Sequence, residues 1–157
     1  NFKQMKKIEK DEKIIIYTDG GSRGNPGPSA VGVVICNASG QKIKEYSQTL
    51  EEISTNNEAE YEAVIFALKK LKQLFGKEKT KNMQIEIKMD SEFVASQLSG
   101  DYKVSEERMQ ALFMKVWNLK FDFGKISFKS IPREQNKRAD QLVNDALDGK
   151  GESGNMF

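Results

Sequence analysis

The stretch Asp19-Gly20-Gly21-Ser22-Arg23-Gly24-Asn25-Pro26-Gly27-Pro28 limits what this chain can fold into more than any other. Its glycines and prolines cannot continue a helix. They separate two short β-branched runs, IIIYT (Ile14 to Thr18) and AVGVVIC (Ala30 to Cys36), each suited to a strand covered on both faces. NASG (Asn37 to Gly40) then reads as a turn, and QKIKEYSQTL as a third strand that makes a hairpin with the second.

From Thr55 the apolar period becomes helical. Thr55-Asn56-Asn57-Glu58 fits a capping box, and the helix it opens should run to about Phe75. QIEIKM (Gln84 to Met89) alternates as a strand and SEFVASQL reads as a short helix. Met109, Leu112, Phe113 and Val116 stand at helical spacing, KISFKSI (Lys125 to Ile131) is a last strand, and Ala139, Leu142, Val143, Ala146 and Leu147 form the stripe of a final helix. The order βββαβααβα predicts an α/β fold, a mixed sheet with helices on its faces. At 157 residues one domain is expected, over 13–148, between a charged leader at 1–12 and a frayed tail at 149–157.

The glycine-rich stretch leads into a strand rather than a helix and lacks a Lys-Ser or Lys-Thr pair, so it does not read as a phosphate-binding loop. A strand-joining turn explains the glycines but not Asp19, an acid at the end of a strand expected to be central, where an unpaired carboxylate is costly. A step of 100° per residue sorts the acids of the helix after Thr55. Glu60 shares a face with Val64, Ala67, Leu71 and Leu74, whereas Glu58, as cap, and Glu62 project toward solvent. Asp90 ends a strand as Asp19 does. If the two strands are parallel neighbours, their ends coincide where open α/β sheets bind ligands. Asp140 borders the stripe of the last helix.

Cys36 is the only cysteine and histidine is absent, which removes intramolecular disulfides, structural zinc and imidazole catalysis. Four converging carboxylates without nitrogen or sulfur donors suit a hard, oxygen-seeking cation, Mg2+ or Mn2+. The net charge of +2 leaves any attraction to a polyanion to local patches. No apolar run approaches the roughly 20 residues of a membrane helix. A soluble, cytoplasmic monomer with no membrane partner is expected.

The blocks YTDGGSRGNPGP, STNNEAEYEAVIFAL, KMDSEFV and REQNKRADQLVNDA resemble, in order and spacing, those of type 1 ribonuclease H. The resemblance implies a ribonuclease H-like five-stranded mixed sheet and an endonuclease that cuts the RNA strand of RNA–DNA hybrids, leaving 5′-phosphate and 3′-hydroxyl ends. It places the family's acidic tetrad on Asp19, Glu60, Asp90 and Asp140, with two Mg2+ ions expected beside substrate and Mn2+ as a substitute. It makes Gly20 and Gly21 a site wall that lets a nucleic-acid backbone approach, and Asn25, Asn56 and Asn57 contacts near the scissile step. Ser22 and Glu92 occupy neighbouring contact positions, where well-known bacterial members carry Cys and Gln.

This chain departs from the pattern twice. The loop that often carries a histidine reads IPREQNKRAD, leaving Arg133 and Glu134 as candidate replacements. The basic handle is reduced to SGDYKV, so either hybrid binding is weaker or it relies on Lys103, Arg133, Lys137 and Arg138, which read equally well as a solvated face. A nuclease for double-stranded RNA or another nucleic-acid structure is the alternative enzyme. A non-catalytic binding module would normally have lost at least one of the four acids.

Overall fold

Strand β1 (Lys13–Ser22) runs through the middle of a five-stranded sheet of order β3-β2-β1-β4-β5. The computed structural model describes residues 12–150; the rest of the expected leader and tail lies outside the described residues. β2 (Ser29–Asn37) and β3 (Lys42–Thr49) continue antiparallel from β1, while β4 (Gln84–Met89) and β5 (Lys125–Ser130) lie parallel to it on the other side. This is the mixed sheet expected, with its first three strands antiparallel. The helices are α1 (Asn56–Phe75), a short α2 (Lys77–Thr80), α3 (Glu92–Leu98), α4 (Glu107–Lys120) and α5 (Lys137–Leu147), with a 3-10 turn at Arg133–Gln135.

β1 continues past the apolar run, because Gly20, Gly21 and Ser22 remain paired with Val31, Ala30 and Ser29 of β2. The predicted turn shrinks to Arg23 through Pro28. It is closed by Arg23 N–H donating to Pro28 O at 2.9 Å and is pinned to the segment before α1 by reciprocal 3.1 Å bonds between Gly27 and Ser54.

Side chains alternate across the sheet and divide the interior in two. Ile14, Ile16, Val33 and Ile35 face α1 and α4, joining Val64, Leu68, Leu71, Met109 and Val116 in the main core. Val34 and Cys36 face the other way, against Leu142 of α5, and Ala30 meets Val143 and Ala146 beside them. Helix α5 lies close on β2 because Gly32 has no side chain: a Cβ there would stand 2.9 Å from Leu142 Cβ and 3.1 Å from Val143 N. Ser47 Oγ donates to the Leu142 carbonyl at 2.6 Å, and Arg138 donates to both carboxylate oxygens of Glu45 at 2.8 Å, fastening α5 to β3 as well.

The helical wheel of α1 needs correction at three residues. Leu74 is exposed, being at the helix's far end. Glu62 is half-buried. Glu58 is buried rather than solvated, because α4 covers it and Arg108 Nε lies 3.1 Å from its Oε2. No helix among the described residues is long and apolar enough to cross a membrane.

Gly32→Ala should lower unfolding free energy by roughly 1–3 kcal/mol, the range for forcing atoms into a packed contact. Denaturant midpoints check this, and an unchanged midpoint would mean that α5 has room the geometry denies it.

Candidate active site

The last parallel pair between β1 and β4 is Tyr17 with Lys88. Two residues further along each strand stand Asp19 and Asp90, so both acids leave the carboxyl ends of neighbouring parallel strands side by side. Asp19 remains paired on its other flank with Gly32 of β2, which holds its backbone in strand geometry.

Glu60 arrives from α1. Thr55 caps that helix as its sequence predicts: Glu58 N–H donates to Thr55 Oγ1 at 3.1 Å and Thr55 N–H donates to Glu58 Oε1 at 2.9 Å. The helix then crosses β1 at Gly20. A Cβ on Gly20 would overlap the Ala59 carbonyl, and the Gly20 N–H donates to Glu60 Oε1 at 2.8 Å. This revises the expected role of Gly20, whose missing side chain admits the backbone of α1 rather than that of a nucleic acid. Asp140 comes from the first turn of α5. It is exposed, yet it lines the same cavity as Asp19 and its charge helps to raise the Asp19 carboxyl.

Carboxylate oxygens of Asp19, Glu60 and Asp90 lie within 4.8 Å of one another, with Asp140 beside them, and none of the four acids forms an ion pair among the described residues. Burial, then the charges of Asp90 and Asp140, push the Asp19 carboxyl up to about 8. Burial and the charges of Asp19 and Asp90 hold the Glu60 carboxyl well above its ordinary range, against the Gly20 N–H, which favours the anion. Without an ion, a proton on Asp19 relieves part of this repulsion at neutral pH; divalent cations fit a set of hard oxygen donors so arranged and would take the proton's place.

A cavity of about 340 Å³ opens over the cluster. Gly20, Gly21, Ser22, Asn56 and Arg133 line it with the four acids. Asn25, Asn57, Glu92 and Glu134 are exposed residues that do not line it. Asn25 Oδ1 accepts the Asn56 N–H at 2.9 Å, and Asn56 Oδ1 accepts the N–H of Ser22 at 2.9 Å and its hydroxyl at 3.2 Å. The carbonyl ends of these two amides thus hold the loop, and their NH2 groups are not used in doing so. Arg138, considered for a phosphate track, is engaged by Glu45 on β3.

Sequence reasoning passed over two asparagines. Asn136, 1% exposed, precedes α5 but does not cap it; its Nδ2 donates to Thr18 O at 2.9 Å and to Asp90 Oδ2 at 3.3 Å. Asn144, one turn beyond Asp140, donates from Nδ2 to Asp140 Oδ2 at 3.4 Å. The i, i+4 spacing of Asp140 and Asn144 was readable; the Asn136 contact needs the fold.

A family model described as reverse transcriptase-like matches residues 17–146. Ribonuclease HI of Halobacterium salinarum is 38% identical over 136 residues, 87% of this chain and 65% of that protein. LC11-RNase H1, solved in complex with an RNA/DNA hybrid, superposes with a TM-score of 0.81 at 47% identity, covering 86% of this chain and 96% of that one. The chain belongs to the type 1 ribonuclease H family. A bifunctional protein of Mycobacterium tuberculosis shares 36% identity over 141 residues, 90% of this chain, but the chain spans only 37% of that protein's length. The ribonuclease H resemblance read from the four sequence blocks is therefore upheld, and those blocks supply the four clustered acids.

The repulsion within this acid cluster makes the stability of the fold depend on pH. Because folding raises the Asp19 carboxyl from its ordinary 3.8 to about 8, the ion-free fold binds a proton more tightly than the unfolded chain and loses stability as pH rises through that window. Asp19→Asn should therefore melt higher than wild type in chelator at pH 8, with the gain shrinking toward pH 4. Mg2+ should narrow the gap by stabilising the wild type more. A variant that melts lower at pH 8 would assign Asp19 a structural role.

Proposed function

We propose that this domain is a metal-dependent endoribonuclease that hydrolyses the RNA strand of RNA–DNA hybrids, leaving 5′-phosphate and 3′-hydroxyl ends. The observation that carries the reading is the meeting of Asp19, Glu60, Asp90 and Asp140, from β1, α1, the end of β4 and α5, in one open cavity. A neighbour of the same fold at 47% identity, LC11-RNase H1, has been solved with an RNA/DNA hybrid.

The four carboxylates would hold two divalent cations, Mg2+ or in its place Mn2+. When bound, such a pair supplies Lewis acidity toward an attacking water and a departing 3′-oxygen. The chain's own part is positioning. Gly20 N–H and Asn136 Nδ2 orient the Glu60 and Asp90 carboxylates from behind. Asn56, held by Ser22 and facing the cavity, offers its NH2 group to a ribose 2′-hydroxyl or a base edge, the contacts that distinguish RNA from DNA in a wide, shallow groove. Asn25 acts through Asn56, whose backbone N–H it accepts; Gly21 and Ser22 form part of the cavity wall. Asn57 and Glu92, outside the cavity, would meet the substrate only beyond the scissile step.

With histidine absent, Arg133 supplies positive charge at the cavity. A guanidinium does not release a proton at working pH, so its role is to hold the scissile phosphate or ease product departure. Glu134, on the same 3-10 turn, faces away from the lining and is the weaker candidate.

With Mg2+ and labelled substrates of one sequence, the RNA strand of a hybrid should be cut and the DNA duplex left intact. Equal cutting of DNA duplex would sink the assignment, and preferential cutting of double-stranded RNA would replace it with the alternative enzyme.

Arg133→Ala should lower kcat on the hybrid by roughly one to two orders of magnitude, what losing one charge-assisted contact costs, and Glu134→Gln by less. Steady-state kinetics at saturating Mg2+ decide: an unchanged kcat in Arg133→Ala beside a large loss in Glu134→Gln would reverse the choice.

A further inference from the structure

Arg23 and Arg133 are the cationic side chains lining the acidic cavity. Arg23 shares that lining with four carboxylates, yet its guanidinium pairs with none of them. Its Nη1 donates to Asp148 Oδ1 at 2.7 Å, at the C-terminal end of α5. Both partners are about half exposed, so the pair is a weak one that water and salt screen. Asp148 is also badly placed for an acid, since the carboxyl end of a helix carries partial negative charge.

The backbone that carries Arg23 is fixed on both sides. Arg23 N–H is bonded to Pro28 O, the Ser22 hydroxyl donates to Gly24 O at 2.7 Å and Ser22 N–H to Asn56 Oδ1 at 2.9 Å. Releasing the guanidinium from Asp148 therefore needs a side-chain rotation and no loop movement. A phosphodiester entering the cavity offers a guanidinium two non-bridging oxygens, as a carboxylate does, with the charge already brought there by the strand.

We propose that Arg23 is a phosphate-binding residue of this site held in reserve by Asp148, which keeps the guanidinium off the acid cluster until a backbone phosphate of the bound strand takes its place. The inference rests on the reading that the cavity receives a nucleic-acid strand. It adds a second cation to the phosphate contacts of a chain whose basic handle is short, and it assigns Asp148 a part that none of the four clustered acids could play without losing its own.

The test is fluorescence anisotropy with a labelled RNA–DNA hybrid at saturating Mg2+, in a chain carrying Asp90→Asn to remove turnover, across about 50 to 200 mM salt. Adding Arg23→Ala should weaken binding about 5- to 10-fold at the low-salt end, and should reduce the slope of log Kd against log salt by about 0.7 to 0.9, the loss of one phosphate contact. Adding Arg23→Lys should restore the slope, since a point charge suffices for counterion release. Adding Asp148→Asn should leave Kd unchanged or tighten it up to about 3-fold, because it removes the competitor. An unchanged slope in Arg23→Ala overturns the proposal. So does weaker binding in Asp148→Asn, which would make the pair a strut for the loop. Wild-type hydrolysis of the same hybrid is followed in parallel: its absence overturns the assigned function, whereas the ratios among the binding variants judge Arg23 by themselves.

Discussion

The site depends on how closely α1 lies against β1. At Gly20 the two backbones approach to a separation that leaves no room for a Cβ, and at the same point the strand's N–H bonds the Glu60 carboxylate. One contact thus sets both the height of the helix over the sheet and the direction of an acid. Had the helix ridden one side chain higher, Glu60 would have lost its donor and its neighbours Asp19 and Asp90 together.

The same closeness creates the electrostatic problem that the rest of the architecture manages. Buried like charges oppose folding, and the protein answers with polar groups that favour anions without neutralising them: a backbone N–H for Glu60, the Asn136 amide for Asp90 and the Asn144 amide for Asp140. Cations from the chain are kept at the edge, on Arg133 and on the Arg23–Asp148 pair. The cluster stays open to a guest of positive charge.

Much of this was legible in the residues. Strand-end position marked Asp19 and Asp90, and the helical wheel turned Glu60 inward. These are local arguments, and they hold because strand ends and helix faces are local properties. What was not legible depends on contacts between distant segments. Glu58 was expected in solvent because no wheel foresees that α4 brings Arg108 across it. Gly20 through Ser22 were read as turn, although pairing with β2 keeps them in strand. The glycine was expected to clear space for a ligand, whereas its first duty is to a helix that begins 36 residues later in the chain, at Asn56. Asn136, joined to residues 118 and 46 positions away, carries no signal of its burial in its neighbours.

The two interiors are unequal. The main core on the α1 face takes in most of the large apolar side chains, while the apolar contacts of α5 are fewer, Ala30 with Val143 and Ala146, and Leu142 against Val34 and Cys36, supplemented by its polar ties to Ser47 and Glu45. Asp140 rides on the thinner side. Local opening, which follows the number of buried apolar contacts, therefore detaches α5 at a lower free energy than it disrupts the sheet and α1. In such an opening Asp140 leaves while Asp19, Glu60 and Asp90, carried by β1, α1 and the end of β4, stay in place. Under the proposed function, heat would take the activity of this domain before it takes its shape.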